Sequence, residues 1–135
     1  MLVLACSQRK SRVDAPLPAI ERYDGPAFRV LRKYLRSTKD PSLKVLILSA
    51  KFGLIRAGEP IVDYNQRLDA RRASFLRARV TDRLAEERAR LRPDSTLLCM
   101  SKLYLTCVGD PEGMEIASPG LGRKLAHLKA WLYNR

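Results

Sequence analysis

The sequence predicts an α/β fold: a single small three-layer α/β/α domain over residues 1–135, built on an approximately four-stranded, mostly parallel sheet. Three observations predict it. Apolar runs of strand length recur at Met1–Ala5, Leu43–Ala50 and Ser95–Ser101, with a shorter one at Met114–Ser118. None of the three longer runs alternates with polar residues, so both faces of each strand expect cover, as in a parallel sheet. Segments of helical periodicity stand between the runs and after the last, which is the βαβ pattern.

The elements follow in order. MLVLACSQRK opens the chain as a buried strand that ends in polar and cationic residues. Ser11 to Pro18 is a loop kept extended by Pro16 and Pro18. Ala19 to Tyr23 is read as a short turn, and Tyr23-Asp24-Gly25-Pro26 carries a clear turn signal. Pro26 suits the first turn of a helix whose apolar positions are Phe28, Leu31 and Leu35, and Asp40-Pro41 ends it. LKVLILSA is the second strand; the stretch from Ile55 to Leu68 reads as irregular. Ala70 to Leu91 is the longest helix, with Leu76, Val80, Leu84 and Leu91 as its stripe and Phe75 beside them. STLLCMS is the third strand, Leu103 to Val108 a short helix, and Met114 to Ser118 a short fourth strand. The last helix begins after Ser118-Pro119-Gly120 and shows Leu121, Leu125, Leu128 and Leu132 on one face.

The 135 residues fit one domain, and a hydrophobic fraction of 46% allows a real core. The charge balance is the unusual feature. Lys and Arg total 26 against 14 Asp and Glu, a net charge of +12, which favours a polyanionic partner, nucleic acid above all. A basic surface kept for solubility is the plainer alternative. There is no C-x-x-C pair and only one histidine, His127, so no metal site is expected, and no cofactor. Cys6 and Cys99 lie in strand-like runs and read as core thiols. The first apolar run is too short for a membrane span or signal peptide, so a cytoplasmic protein with no membrane partner is expected.

In open α/β sheets ligands bind beyond the carboxyl ends of the strands. The polar strand ends should therefore converge there: Cys6, Ser7, Arg9 and Lys10; Ser49 and Lys51; Ser101 with Lys102; Ser118, Gly120, Gly122 and Arg123. Serines and helix-start amides accept phosphate or carboxylate oxygens, and cations add charge. Each serine alone is a common helix cap, so the repetition carries the signal. Asp63-Tyr64-Asn65 lies in the loop after the second strand. A carboxylate beside an aromatic and an amide can activate water, support a cationic sugar or stack on a base; the same residues also make an ordinary Asx turn with a half-buried tyrosine. Tyr23-Asp24 is a second such pair. Cys6 as a nucleophile would need a nearby base.

Apolar-Cys6-Ser7-x-x-Lys10, Tyr23-x-Gly25, Leu48-Ser49-Ala50-Lys51-Phe52-Gly53-Leu54, Asp63-Tyr64 and Gly120-x-Gly122 together resemble a small bacterial and phage domain of unknown function. That domain is similar to the C-S-x-x-K module of archaeosine synthase and, more distantly, to the peroxide-stress YaaA proteins. The expected fold is also similar to the uracil-DNA glycosylase superfamily. The resemblance implies a DNA glycosylase-like hydrolase that removes a modified base from DNA, in defence against phage with modified genomes. Asp63 would position water or stabilise the sugar cation, and Tyr64 or Tyr23 would shape the pocket. Asn65 stands beside them, Lys51 or Lys10 could form a Schiff base, and Ser7, Lys10, Ser49 and Lys51 would hold phosphate or the base. The alternatives are a deazaguanine-type base or nucleotide modification enzyme and a non-catalytic basic nucleic-acid-binding module.

Overall fold

The computed structural model describes all residues, Met1–Arg135. Its main sheet has five strands in the order β4-β3-β1-β6-β7. These are β1 (Leu2–Ala5), β3 (Val45–Ser49), β4 (Gly53–Arg56), β6 (Leu97–Cys99) and β7 (Glu115–Ile116). β1 pairs in parallel with β3 and β6, and β6 with β7; only the edge strand β4 runs antiparallel. Two short strands, β2 (Leu17–Pro18) and β5 (Pro60–Ile61), form a separate antiparallel pair. The helices are α1 (Ala19–Arg22), α2 (Pro26–Thr38), α3 (Ala70–Leu91), α4 (Lys102–Leu105) and α5 (Leu121–Tyr133).

The sheet is covered on both faces, as its unbroken apolar runs require. On one side Leu2, Leu4, Ile47, Leu97 and Cys99 pack with Phe28, Leu31 and Tyr34 of α2 and Leu128 and Leu132 of α5. On the other, Val3, Leu46, Leu48 and Leu98 pack with Ala73, Leu76, Val80 and Leu84 of α3. Three layers result, with parallel strands at the centre.

Several expectations are corrected. The sheet gains a fifth strand because Gly53–Arg56, taken as the end of a strand and the start of an irregular stretch, folds back on β3. The Ser49 hydroxyl accepts the amides of Lys51 and Phe52 and so shapes the turn. Gly53 follows at φ +74, a region that glycine occupies without strain. Ala19–Arg22 is a helical turn rather than a plain one. Phe75 is 64% exposed, not part of the core stripe, and Leu121, in line with the apolar face of α5, is 65% exposed because it is the first residue of that helix.

Two charged residues are buried. Glu87 of α3 meets Arg83 and Arg90 on its own helix and Arg56 of β4, fastening the edge strand to the helix. Burial opposes its charge, and hydrogen bonds from Arg90, Arg56 and Arg83 outweigh that, holding its carboxyl below the usual range. Arg22 is wholly buried and has only carbonyls for partners: Ser11, Val13, Ala15 and Ile61. It ties the loop after β1 to β5. No helix is long and apolar enough to cross a membrane.

Candidate active site at the carboxyl edge

β1 lies between β3 and β6, and the chain leaves its neighbours in opposite directions. The segment after β1 leads to α1 and α2 on one face; the segment after β6 leads to α4 toward the other. This divergence opens a crevice beyond the carboxyl ends of β1 and β6, the kind of place where α/β sheets bind ligands. Cys6, just past β1, and Tyr104 of α4 meet across it, Sγ to Oη 3.1 Å.

A cleft of about 470 Å³ occupies this position, lined by Cys6, Ser7, Gln8, Lys10, Arg12, Tyr64, Asn65, Gln66, Arg67, Leu68 and Tyr104. Its lining holds three cations, Lys10, Arg12 and Arg67, and no carboxylate. A larger hollow, about 800 Å³, lies at the opposite edge among residues preceding the strands, such as Lys44 and Ser95. There the polar groups already satisfy one another: Asp40 receives hydrogen bonds from Tyr34, Ser42 and Arg135.

Tyr64 is the centre of the cleft's inner wall. Its hydroxyl lies 2.8 Å from Ser49 Oγ and 2.6 Å from Tyr23 Oη. Ser49 already accepts two amides, so its own proton goes to Tyr64, and Tyr64 in turn donates to Tyr23. The ring is fixed edge-on against Phe52 and Tyr23. Lys10 Nζ stands 4.6 Å over its centroid and Lys51 Nζ lies 5.8 Å from it, both as cation–π contacts. Lys10 reaches that place because its backbone bridges to Tyr23.

Burial sets the protonation of this wall. It pushes the Tyr23 phenol up to about 12, against hydrogen bonds from Ser49 and Tyr64 that favour ionisation. Burial likewise raises Tyr64 and Tyr104, and the neighbouring Cys6 adds to both. The wall is therefore a layer of neutral hydroxyl groups at neutral pH, beneath a cationic rim.

The expected residues divide. Cys6, Ser7, Lys10, Tyr64 and Asn65 line the cleft. Ser7 is committed locally, donating to the Arg9 carbonyl and accepting the Gly25 amide. Arg9 is turned to Asp24, which also holds Arg29 and Arg32, so Asp24 is a structural hub. Hydrogen bonding from Arg29 leads the effects that keep the Asp24 carboxyl below its usual range. Tyr23 and Ser49 are fully buried behind Tyr64, so neither can touch a phosphate or a base; they support the wall. Asp63 stands at the cleft's margin, outside its lining. Its Oδ1 accepts the Tyr64 amide and its Oδ2 lies 3.5 Å from Arg12. Lys51 projects from the β3–β4 turn beside Phe52. Ser101 is the exposed N-cap of α4, without a side-chain cap bond.

Ser118, Gly120, Gly122 and Arg123 do not reach the cleft. They follow β7, two strands away from β1, or about 10 Å across the sheet. Ser118 instead meets His127: its amide and hydroxyl both approach Nδ1, at 3.0 and 3.2 Å, while Nε2 contacts Glu115. Serine, histidine and glutamate thus stand in line. The Nδ1 lone pair is already committed to the amide, however, so the group works as a clamp between β7 and α5. Cys6 is not a plain core thiol: it is half-buried, whereas Cys99 and Cys107 are buried. No group of three His, Cys, Asp or Glu is placed to hold a metal.

Sequence reasoning missed Arg12, Arg67, Gln8, Gln66 and Tyr104 as cleft residues. Residues 1–134 match the family of unknown function DUF6884. The chain belongs to this family. No curated protein matches it. For this DUF6884 member the chemistry of the cleft is therefore the ground for a functional reading.

Proposed function

We propose that this protein is a DNA glycosylase-like hydrolase that takes a modified base of DNA into the Lys10–Tyr64–Tyr104 cleft and hydrolyses its N-glycosidic bond. The observation that carries the reading is the pairing of a cationic, carboxylate-free cleft with one oriented carboxylate at its margin. Three cations suit the phosphates flanking an extruded nucleotide. The neutral rings of Tyr64 and Tyr104 would give a base an uncharged surface to lie against.

Arg12 gives the mechanism its order. Its side chain is 89% exposed, so a phosphate can draw it away from Asp63. Asp63 Oδ2 is then released, while Oδ1 stays fixed on the Tyr64 amide. The carboxylate takes a proton from water as the water oxygen bonds to C1′. The C1′–N bond breaks, the base leaves with the bonding electrons, and the proton that Asp63 took from water passes to the base through solvent, restoring the carboxylate. Lys10, over the Tyr64 ring, supplies positive charge to the departing base. A base held in the cleft thus meets its water only when a phosphate is bound.

A non-catalytic basic nucleic-acid-binding module is the second reading. It is favoured by the fact that both Asp63 oxygens are engaged in the free protein. One experiment separates the two. DNAs carrying different natural base modifications are incubated with the protein, and released bases are identified by mass spectrometry. Release by the wild type that is lost in Asp63→Asn, with DNA binding retained, supports the hydrolase. Release undiminished in Asp63→Asn refutes the role of Asp63, and binding without release from any substrate supports the module.

A further inference from the structure

Phe75 is a phenyl ring left in solvent on the longest helix, 64% exposed although the core of α3 is well filled. Its surroundings are basic. Arg71 and Arg79 stand one turn before and after it on the same helix face. Both are exposed, and neither forms an ion pair. Arg72 lies over the ring, its guanidinium carbon 5.1 Å from the centroid. That arginine is itself fixed, because it donates to the Ala50 and Lys51 carbonyls of the β3–β4 turn. The ring is thus backed by a rigid cation on one side and open on the other. The first acid on this face is Asp82, about 10 Å further along the helix.

The position of the ring relative to the cleft matters. Arg67 and Leu68 line the cleft, Asp69 caps the helix, and Phe75 follows about 9 Å along the axis. Lys51 lies on the turn that Arg72 grips. Arg67 and Arg71 thus stand on the stretch between the cleft and the ring, with the capping Asp69 between them, and Lys51 stands on the turn beside it. Aromatic rings framed by cations along a groove are how single-stranded nucleic acid is held without sequence preference, one base stacked per ring.

We propose that Phe75 is a base-stacking platform for single-stranded DNA, seating an unpaired base of the strand whose neighbouring segment enters the cleft, with Arg71 and Arg79 taking the flanking phosphates. This rests on the reading that nucleic acid lies on the carboxyl edge, but it needs no reaction and no modified base.

The test uses the whole chain and a twelve-nucleotide oligo(dT). Phe75→Trp places an indole on the platform, and Trp131 in the wild type supplies the background signal. Oligo(dT) should quench the added fluorescence, and Phe75→Ala should weaken binding on the order of tenfold, the loss of one stacked base. Arg71→Gln and Arg79→Gln should each lower the slope of log affinity against log salt by roughly one. Because Phe75 is exposed, these variants keep the core intact. Binding without quenching, and with affinity unchanged in Phe75→Ala, overturns the platform while leaving nucleic acid as the partner. Quenching by duplex alone overturns the single-strand assignment. Absence of any binding at low salt overturns the platform together with the nucleic-acid reading.

Discussion

Replacing Arg22 tests what holds the rim of the cleft in place. The side chain is completely buried and donates to four carbonyls: those of Ser11, Val13 and Ala15 in the loop after β1, and that of Ile61 in β5. Arg22→Met keeps most of the volume and removes every donor. The Ile61 carbonyl is then left in a buried position, which costs about 1–3 kcal/mol. The three loop carbonyls can turn to water, so each loses only a net bond of about 0.5–1 kcal/mol. Loss of roughly 3–5 kcal/mol follows. A domain has only about 5–15 kcal/mol in total, so the variant should be folded but markedly weakened. Urea denaturation followed by circular dichroism measures it. With a slope of about 2 kcal/mol per molar, the midpoint should fall by about 2 M. Arg12 belongs to the loop that Arg22 anchors, so affinity for oligo(dT) should fall as well. A midpoint shift below about 0.5 M would show that the carbonyls find other donors and that Arg22 is not the anchor.

Two further outcomes are expected. The Tyr23 phenol is raised to about 12 by burial from an ordinary value near 10. Its contribution is therefore fully present below pH 10 and is lost as pH rises toward 12. Stability should drop in that window by about 2–3 kcal/mol from this group, measured by urea denaturation at stepped pH; ionisation of the Tyr23 phenol near pH 10 in the still-folded protein, with stability unchanged between pH 10 and 12, would refute the reasoning. Gly25→Ala puts a Cβ 2.7 Å from the Ser7 Cβ. The Gly25 backbone itself suits alanine, at φ −73, so the clash alone should cost about 1–3 kcal/mol, and thermal denaturation no different from wild type would refute the close approach of the two loops.

Much of the scaffold was legible because strand and helix periodicities are local. Three central strands and α3 declare themselves as apolar runs and a 3.6-residue stripe. β4 did not, because it is a four-residue edge strand whose identity comes from its partner β3 and from a turn shaped by Ser49 and Gly53. Phe75 was misassigned to the stripe because adjacency in sequence is not adjacency on a helix: it points about 100° away from Leu76. Nothing local in the sequence marks Arg22, since its burial comes from the loop that wraps over it. The site shows the same division. Cys6, Ser7 and Lys10 follow β1 directly, so the strand-end rule finds them. Tyr104 is brought in only because α4 goes to the opposite face from α2, a fact of topology that no local pattern carries. The group at Ser118 obeyed the rule and still missed the cleft, because the rule names an edge and not a place along it.

If the proposed function holds, the arrangement separates two tasks of a base-handling site. On the proposed function, affinity for a polyanion would belong to the rim of Lys10, Arg12 and Arg67, where salt would screen it. Selection among bases would then fall to the wall, where Tyr64 and Tyr104 are held by Ser49, Tyr23 and Cys6. Those hydroxyl groups stay protonated because burial disfavours the phenolate, so they are fixed in number and orientation across the physiological range. A charged wall would bind any anion equally. On the proposed function, a neutral wall held by internal hydrogen bonds would discriminate by shape, since a base that does not fit it would bury its own polar groups unpaired at a cost of about 1–3 kcal/mol. The rim should therefore set how tightly DNA is held and how steeply salt weakens it. The wall should set which base is accepted, and Tyr64→Phe, which keeps the ring under Lys10 but breaks the run from Ser49 to Tyr23, should alter base preference far more than overall affinity.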